Sequence, residues 1–200
     1  MNEVNASVQM SGSIHEEPQM SKLDESRPFK AVRAAILTIS DSRALADDKS
    51  GALLEKSLAE AGHTLADRRL VRDDIAAIQE ALKAWIADPS VDAVITTGGT
   101  GLTGRDITPE AVRPLLEKEM DGFSTVMHMI SFQKIGTSTV QSRSLAGVAN
   151  ATYIFCLPGS PGACRDAWDG ILKQQLDFRH RPCNFVEIMP RLNEHMRGKG

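Results

Sequence analysis

Four glycines fall within seven residues of Gly98-Gly99-Thr100-Gly101-Leu102-Thr103-Gly104, and Arg105-Asp106 follow directly. Glycines admit positive φ and let backbone N–H groups approach an anion with no Cβ in the way. Neighbouring Thr97 and Thr100 add hydroxyls. A single glycine would mean only a tight turn. This density followed by Arg-Asp points to an anion cradle, with Thr97, Gly98, Gly99, Thr100 and Gly101 as its candidate phosphate-binding residues. Two better-known cradles are excluded. Gly99-x-Gly101-x-x-Gly104 has the spacing of a dinucleotide fingerprint, but that motif opens its helix at once and sets an acid ~20 residues on along a second strand. Here the next helix signal is Thr108-Pro109-Glu110, and the acid at Asp121 lies between helices. The Gly-Lys-Ser/Thr of a P-loop is also missing.

Asp106 then needs a reason. A carboxylate beside a phosphate cradle repels its ligand unless a cation lies between them. Mg²⁺ commonly takes one or two carboxylates together with substrate phosphates. Asp106 and Asp73 are the candidate pair, as catalytic groups and as Mg²⁺ ligands. The alternatives are that Asp73 caps a helix and that Asp106 pairs with Arg105.

Positioning these residues requires strands that end together. Ala34–Ile39 is a short apolar run, as expected of a strand covered on both faces. Ser50 is expected to cap a helix carrying Leu53, Leu54, Leu58 and Ala61, stopped by Gly62. A weaker strand spans 64–71. Asp73 or Asp74 caps a helix with Ile75, Ile78, Leu82, Trp85 and Ile86 on one face. Val91–Thr97 is a third strand. Thr108 as cap with Pro109 at the first helical position opens another helix. Phe123, Val126, Met127 and Ile130 make a further helical stripe. Ala151–Leu157 is the last strong strand, and Pro158-Gly159-Ser160-Pro161-Gly162 turns into a helix carrying Trp168, Ile171, Leu172 and Leu176. This alternation predicts an α/β fold, a mostly parallel sheet with helices on both faces. Ligands of open α/β sheets sit beyond the carboxyl ends of the strands. Ser40-Asp41, Asp73, the glycines and the Pro-Gly turn would converge there.

Composition narrows the function classes. The chain has 200 residues, 42% hydrophobic and 24% charged, with a net charge of −3. Residues 1–29 hold five acids and two bases, which accounts for the whole excess, so the remainder is neutral. A neutral body with one Tyr and no basic block does not suit a general nucleic-acid binder. Residues 1–29 never place two apolar residues side by side. They read as a disordered tail and not as a secretory signal, ahead of one domain over 30–200 with an extension from about 180. No run approaches the ~18 apolar residues of a membrane span, so a cytoplasmic protein is expected. Cys156, Cys164 and Cys183 are too few and too scattered for a disulfide framework or a zinc site, and read as core fillers.

Thr96-Thr97-Gly98-Gly99-Thr100-Gly101, with Arg105-Asp106-x-Thr108-Pro109-Glu110-Ala111, resembles the signature of the MoaB/MogA molybdopterin-binding family. Ile39-Ser40-Asp41, Met120-x-Gly122-Phe123, Ser142-Arg143-x-x-Ala146-Gly147 and Leu157-Pro158-Gly159-Ser160-Pro161-Gly162-Ala163 match in order, so the resemblance covers roughly residues 32–178. The Pro-Gly-Ser-Pro-Gly-Ala form and the Cys183-Asn184-Phe185 ending are more similar to the MoaB branch. The resemblance implies a three-layer α/β/α fold and a homo-oligomer, trimer or hexamer. It also implies adenylylation of molybdopterin by ATP with Mg²⁺, and other molybdenum cofactor biosynthesis proteins as partners. Ser40, Asp41, Ser142, Arg143, Gly159 and Ser160 become candidate molybdopterin contacts, although Arg143 alone is an ordinary surface base and Ser160 alone an ordinary helix cap. The competing functions are a molybdopterin carrier without catalysis, and a relative of the same fold acting on another nucleotide or pterin. An oligomer is also expected from the Phe123–Ile130 stripe, which exceeds what one small sheet needs as cover.

Overall fold

The computed structural model describes residues 22–195. A two-residue strand, β1 (Lys22–Leu23), precedes β2 (Arg33–Ile39), α1 (Lys49–Glu60), β3 (Thr64–Val71), α2 (Ile75–Ile86) and β4 (Ala93–Thr97). Next come α3 (Thr108–Val112), β5 (Lys118–Glu119), α4 (Asp121–Ile135), β6 (Leu145–Ala149) and β7 (Thr152–Leu157). The following helix begins as α5 (Pro161–Ala167), loosens into a π turn over Trp168–Leu172 and ends as α6 (Lys173–Gln175). β8 (His180–Arg181) and α7 (Phe185–Ile188) follow.

The main sheet has the order β3-β2-β4-β7-β6-β5. The first four strands are mutually parallel; β6 runs antiparallel to β7, and β5, at the edge, antiparallel to β6. Alternation along β2 explains its continuous apolar run. Ala34 and Ile36 face Leu54 and Leu58 of α1 and Trp168, in a core that Phe123 and Met127 of α4 extend. Ala35, Leu37 and Ile39 face the other way, toward Ile78, Leu82 and Trp85 of α2 with Ala111 and Val112 of α3. The result is the three-layer α/β/α arrangement, with helical cover on both faces of a mostly parallel sheet.

Three local readings are corrected. Asp48, not Ser50, caps α1: its carboxylate accepts from Gly51 N, while Ser50 Oγ donates to Gly159 O at 2.9 Å. Asp48 wins because Arg68 and the Thr38 hydroxyl also bind its buried carboxylate, both within 3 Å. Thr108 is no cap either. Its hydroxyl donates to Gly98 O at 2.8 Å and its amide to Gly99 O at 2.9 Å, which closes the glycine loop onto α3. Third, the expected tail boundary moves. β1 pairs with β8, and Arg27 binds Glu187 while stacking 3.8 Å over Phe178, so residues 22–29 are fastened to the C-terminal extension. The rest of that tail, residues 1–21, lies outside the described residues. The extension itself packs on the domain, with Phe185 against Tyr153 and Phe155.

Candidate functional site

The carboxyl ends of β2, β3, β4 and β7 open onto a cleft of about 510 Å³, a size that suits cofactors and nucleotides. Its floor is the glycine loop. Gly98 has φ +109°, and a Cβ there would collide with the Ile39 carbonyl oxygen. Gly99 has φ +63°, and a Cβ there would collide with the Thr108 hydroxyl and lie 3.2 Å from the Asp73 carboxylate. Glycine is required at both positions because left-handed backbone and close approach coincide.

Of the candidate residues, Ser40, Asp41, Asp73, Gly98, Gly99, Thr100, Gly101, Asp106, Ser142, Gly159 and Ser160 all line this one cleft. Sequence separations of more than 100 residues collapse because parallel strands deliver their ends to the same edge. Ser142 arrives from the opposite chain direction, through antiparallel β6, whose Leu145 pairs with Cys156 near the end of β7.

Two candidates turn elsewhere. Thr97 is buried, and its hydroxyl donates to Pro158 O at 2.9 Å and contacts Cys164 Sγ, which staples β4 to the turn after β7. Arg143 lies behind the loop, donating from Nε to Gly101 O at 2.7 Å and from Nη2 to Asp106 O at 2.6 Å, with Glu110 on Nη1. Neither is placed to touch a ligand in the cleft. Ser160 lines the cleft and also caps α5, accepting from Ala163 N.

The two key carboxylates differ in surroundings. Asp74, not Asp73, caps α2, accepting from Ala77 N at 2.8 Å. Asp73 therefore keeps its carboxylate for the cleft. Burial, then the like charge of Asp41, raises its pKa above the usual aspartate value, with Asp106 adding to the shift and Arg105 opposing it. Asp106 does not pair with Arg105; its carboxylate accepts from Thr103 N at 2.9 Å and Thr103 Oγ at 2.6 Å. Burial would raise the Asp106 pKa, but these donors and the Gly101 amide outweigh it and hold the group below its ordinary range. Arg105 instead binds Asp41, whose other oxygen accepts from Asp73 N at 3.2 Å. That exposed pair separates the main cleft from an adjoining hollow of about 550 Å³, which shares Asp41, Asp73 and Arg105 and adds Arg72.

Sequence reasoning missed Arg43, Ser138 and Gln141, which also line the cleft. Arg43 stands two residues from Asp41 and donates to Gly159 O at 3.2 Å, so its position next to a recognised motif was an available signal. Ser138 and Gln141 lie on a 3-10 turn after α4, with no motif of their own. Cys156 and Cys164 are buried as read, and burial pushes the Cys156 thiol up to about 12; Cys183 is exposed, so the reading of it as a core filler is corrected.

Among the described residues, no group of three or more His, Cys, Asp or Glu is arranged to hold a metal ion. Asp73 and Asp106 supply hard oxygen donors on either side of the glycine loop, too few for an all-protein cage. They suit an ion that brings its remaining ligands as phosphates and water. No helix among the described residues is long and apolar enough to cross a membrane.

The family model for a probable molybdopterin binding domain matches residues 35–177. The chain is 52% identical over 160 residues to molybdenum cofactor biosynthesis protein B of Escherichia coli K12, covering 80% of this chain and 94% of that protein. The Bacillus anthracis protein of the same name is 45% identical, covering 74% and 88%. A crystal structure of a molybdenum cofactor biosynthesis protein B superposes with a TM-score of 0.76 at 40% identity, over 84% of this chain and 99% of the other. The tungsten cofactor synthesizing protein MoaB from Pyrococcus furiosus gives 0.62 at 32% identity, over 72% and 92%. The chain belongs to the MoaB/MogA family of molybdenum cofactor biosynthesis proteins.

Proposed function

We propose that this protein is a molybdopterin adenylyltransferase that uses ATP and Mg²⁺. The observation that carries the proposal is the pair of carboxylates against the glycine loop. Asp73 lies 3.2 Å from the Cβ position of Gly99, and Asp106 lies 2.7 Å from that of Gly101. A site for an anionic pterin alone gains nothing from two carboxylates at its floor, whereas a triphosphate carrying a divalent cation does. Two joined hollows also suit two substrates.

In the proposed reaction an oxygen of the pterin's terminal phosphate attacks the α-phosphorus of ATP. The new P–O bond forms as the bond to the β-phosphate breaks, and its electron pair leaves with pyrophosphate. Catalysis of this kind is mostly positioning and charge stabilisation. Amides of Gly99 and Thr100 would cradle phosphate oxygens, Asp73 and Asp106 would hold Mg²⁺, and Ser40, Asp41, Ser142, Gly159 and Ser160 would line the pterin. Bound Mg²⁺ would neutralise charge on the triphosphate. The reading extends to a cytoplasmic homo-oligomer, trimer or hexamer, working beside other molybdenum cofactor biosynthesis proteins. Supporting it, Met129, Phe132 and Ile135 of α4 and Val140 beyond it are exposed apolar side chains along one stretch of surface.

Incubation with molybdopterin, ATP and Mg²⁺ tests the reaction. Adenylylated pterin and pyrophosphate in equal amounts are expected. Tight pterin binding with no product over many hours would overturn the transferase reading and leave a carrier.

A further inference from the structure

We infer that Arg143 is a positioning residue that acts through Asp106, and not a ligand contact. This rests on the transferase reading for its effect on rate, but its geometry stands independently. Arg143 commits its backbone amide to Thr100 O at 2.8 Å, its Nε to Gly101 O at 2.7 Å and its Nη2 to Asp106 O at 2.6 Å, with Nη1 on Glu110. A planar guanidinium holds such acceptors in a fixed fork, which an ammonium cannot copy. The three carbonyls belong to the two ends of the loop that carries Asp106, so one residue ties those ends together.

The consequence for Asp106 follows from peptide geometry. In a trans peptide the C=O and the next N–H point in opposite directions. The Arg143 backbone amide draws the Thr100 carbonyl toward it and so aims the Gly101 amide the other way, and the Asp106 carboxylate lies against Gly101, 2.7 Å from its Cβ position. Thr103 donates to that carboxylate twice, from within the same closed loop. The Arg143 side chain thus fixes the backbone at Gly101 and at Asp106 without lining the cleft. The antiparallel entry of β6 makes this possible, because it brings Arg143 to the carboxyl edge from behind the loop.

The test is a double-mutant cycle on the full chain, with Arg143→Lys, Asp106→Asn and the double variant. Single-turnover adenylyl transfer, pyrophosphate affinity and hydrogen exchange of the Gly101–Asp106 backbone amides are measured in each protein. Displacing a reacting group by about 1 Å can cost about a hundredfold in rate. Arg143→Lys is expected to slow transfer by about that factor with pyrophosphate affinity changed less than threefold, taken as roughly the size of a weak contact. It should add no further loss on top of Asp106→Asn, and the Gly101–Asp106 backbone amides should exchange faster with solvent. Glu110→Gln, which frees one arm of the fork, should give a smaller loss of the same kind. Losses that multiply in the double variant, or affinity that falls in step with rate, would overturn the inference in favour of direct contact. If the wild type transfers nothing, the reaction reading fails by itself. Faster exchange of the Gly101–Asp106 amides in Arg143→Lys then still decides for positioning, and unchanged exchange against it.

Discussion

The two sides of the glycine loop present the same functional group in opposite conditions. On one side Asp106 sits in a closed loop, accepts two donors from Thr103 and has its pKa held below the ordinary range. On the other, Asp73 follows β3 in an open turn, and its partial burial, then the like charge of Asp41, raise its pKa. Sequence identity at the two positions therefore hides a difference in readiness. Asp106 is a fixed anion that has already surrendered much of its lone-pair capacity. Asp73 is a carboxylate under electrostatic strain, which an arriving cation relieves.

Substitutions can break this contrast. Asp106→Asn should show the largest effect, a loss of adenylyl transfer of roughly a hundredfold to a thousandfold, the scale for a preorganised transition-state group. Pterin affinity should be preserved. Transfer that is normal at saturating Mg²⁺ would remove Asp106 from the chemistry.

Asp73→Asn should also impair transfer, by about tenfold to a hundredfold, mainly by raising the Mg²⁺ concentration needed. Its stability effect has the opposite sign from that of an ordinary paired carboxylate. A group whose folded pKa is raised adds stability below its unfolded pKa, and that stability is lost as pH rises through the folded value. At neutral pH the charged Asp73 therefore costs stability, and the Asn variant should melt higher than the wild type. For Asp106, with a lowered pKa, the contribution is present above the unfolded value and lost as pH falls below about 4. Thermal melts from pH 3 to 8 on both variants check the two signs together.

The smallest expected effect is that of Thr103→Val. It removes the 2.6 Å hydroxyl donor but leaves the Thr103 amide. Loss of one hydrogen bond to a charged acceptor should slow transfer by about fivefold to tenfold and raise the Asp106 pKa. An equal effect on Asp73 would mean that the two walls are coupled.

Much of this was legible in the residues. The apolar run of β2, the stripe of α2 and the glycine density after β4 each carry one dominant physical signal, so the layers and the cleft floor could be read. Asp73 and Asp106 were legible as a pair because an anion cradle makes a nearby carboxylate conspicuous. What failed depended on partners distant in sequence. Ser50 is a good capping residue, yet Asp48 caps because Arg68 and Thr38 complete it. Thr97 belongs to the family motif but faces Cys164, since strand alternation turns it into the core. Arg143 resembled a ligand contact because its role depends on β6, whose short run of small residues around Gly147 gives little strand signal. Ser138 and Gln141 are brought to the cleft only by the turn after α4.

The most direct test of the contrast is the carboxyl titration of Asp73 and Asp106 in one NMR experiment, without and with Mg²⁺ and pyrophosphate. Without ligand, Asp73 should titrate above free aspartate and Asp106 below it; on adding Mg²⁺ and pyrophosphate the Asp73 value should fall sharply while Asp106 moves little. Equal values in the free protein, or a fall confined to Asp106, would contradict the assignment of one fixed and one responsive carboxylate.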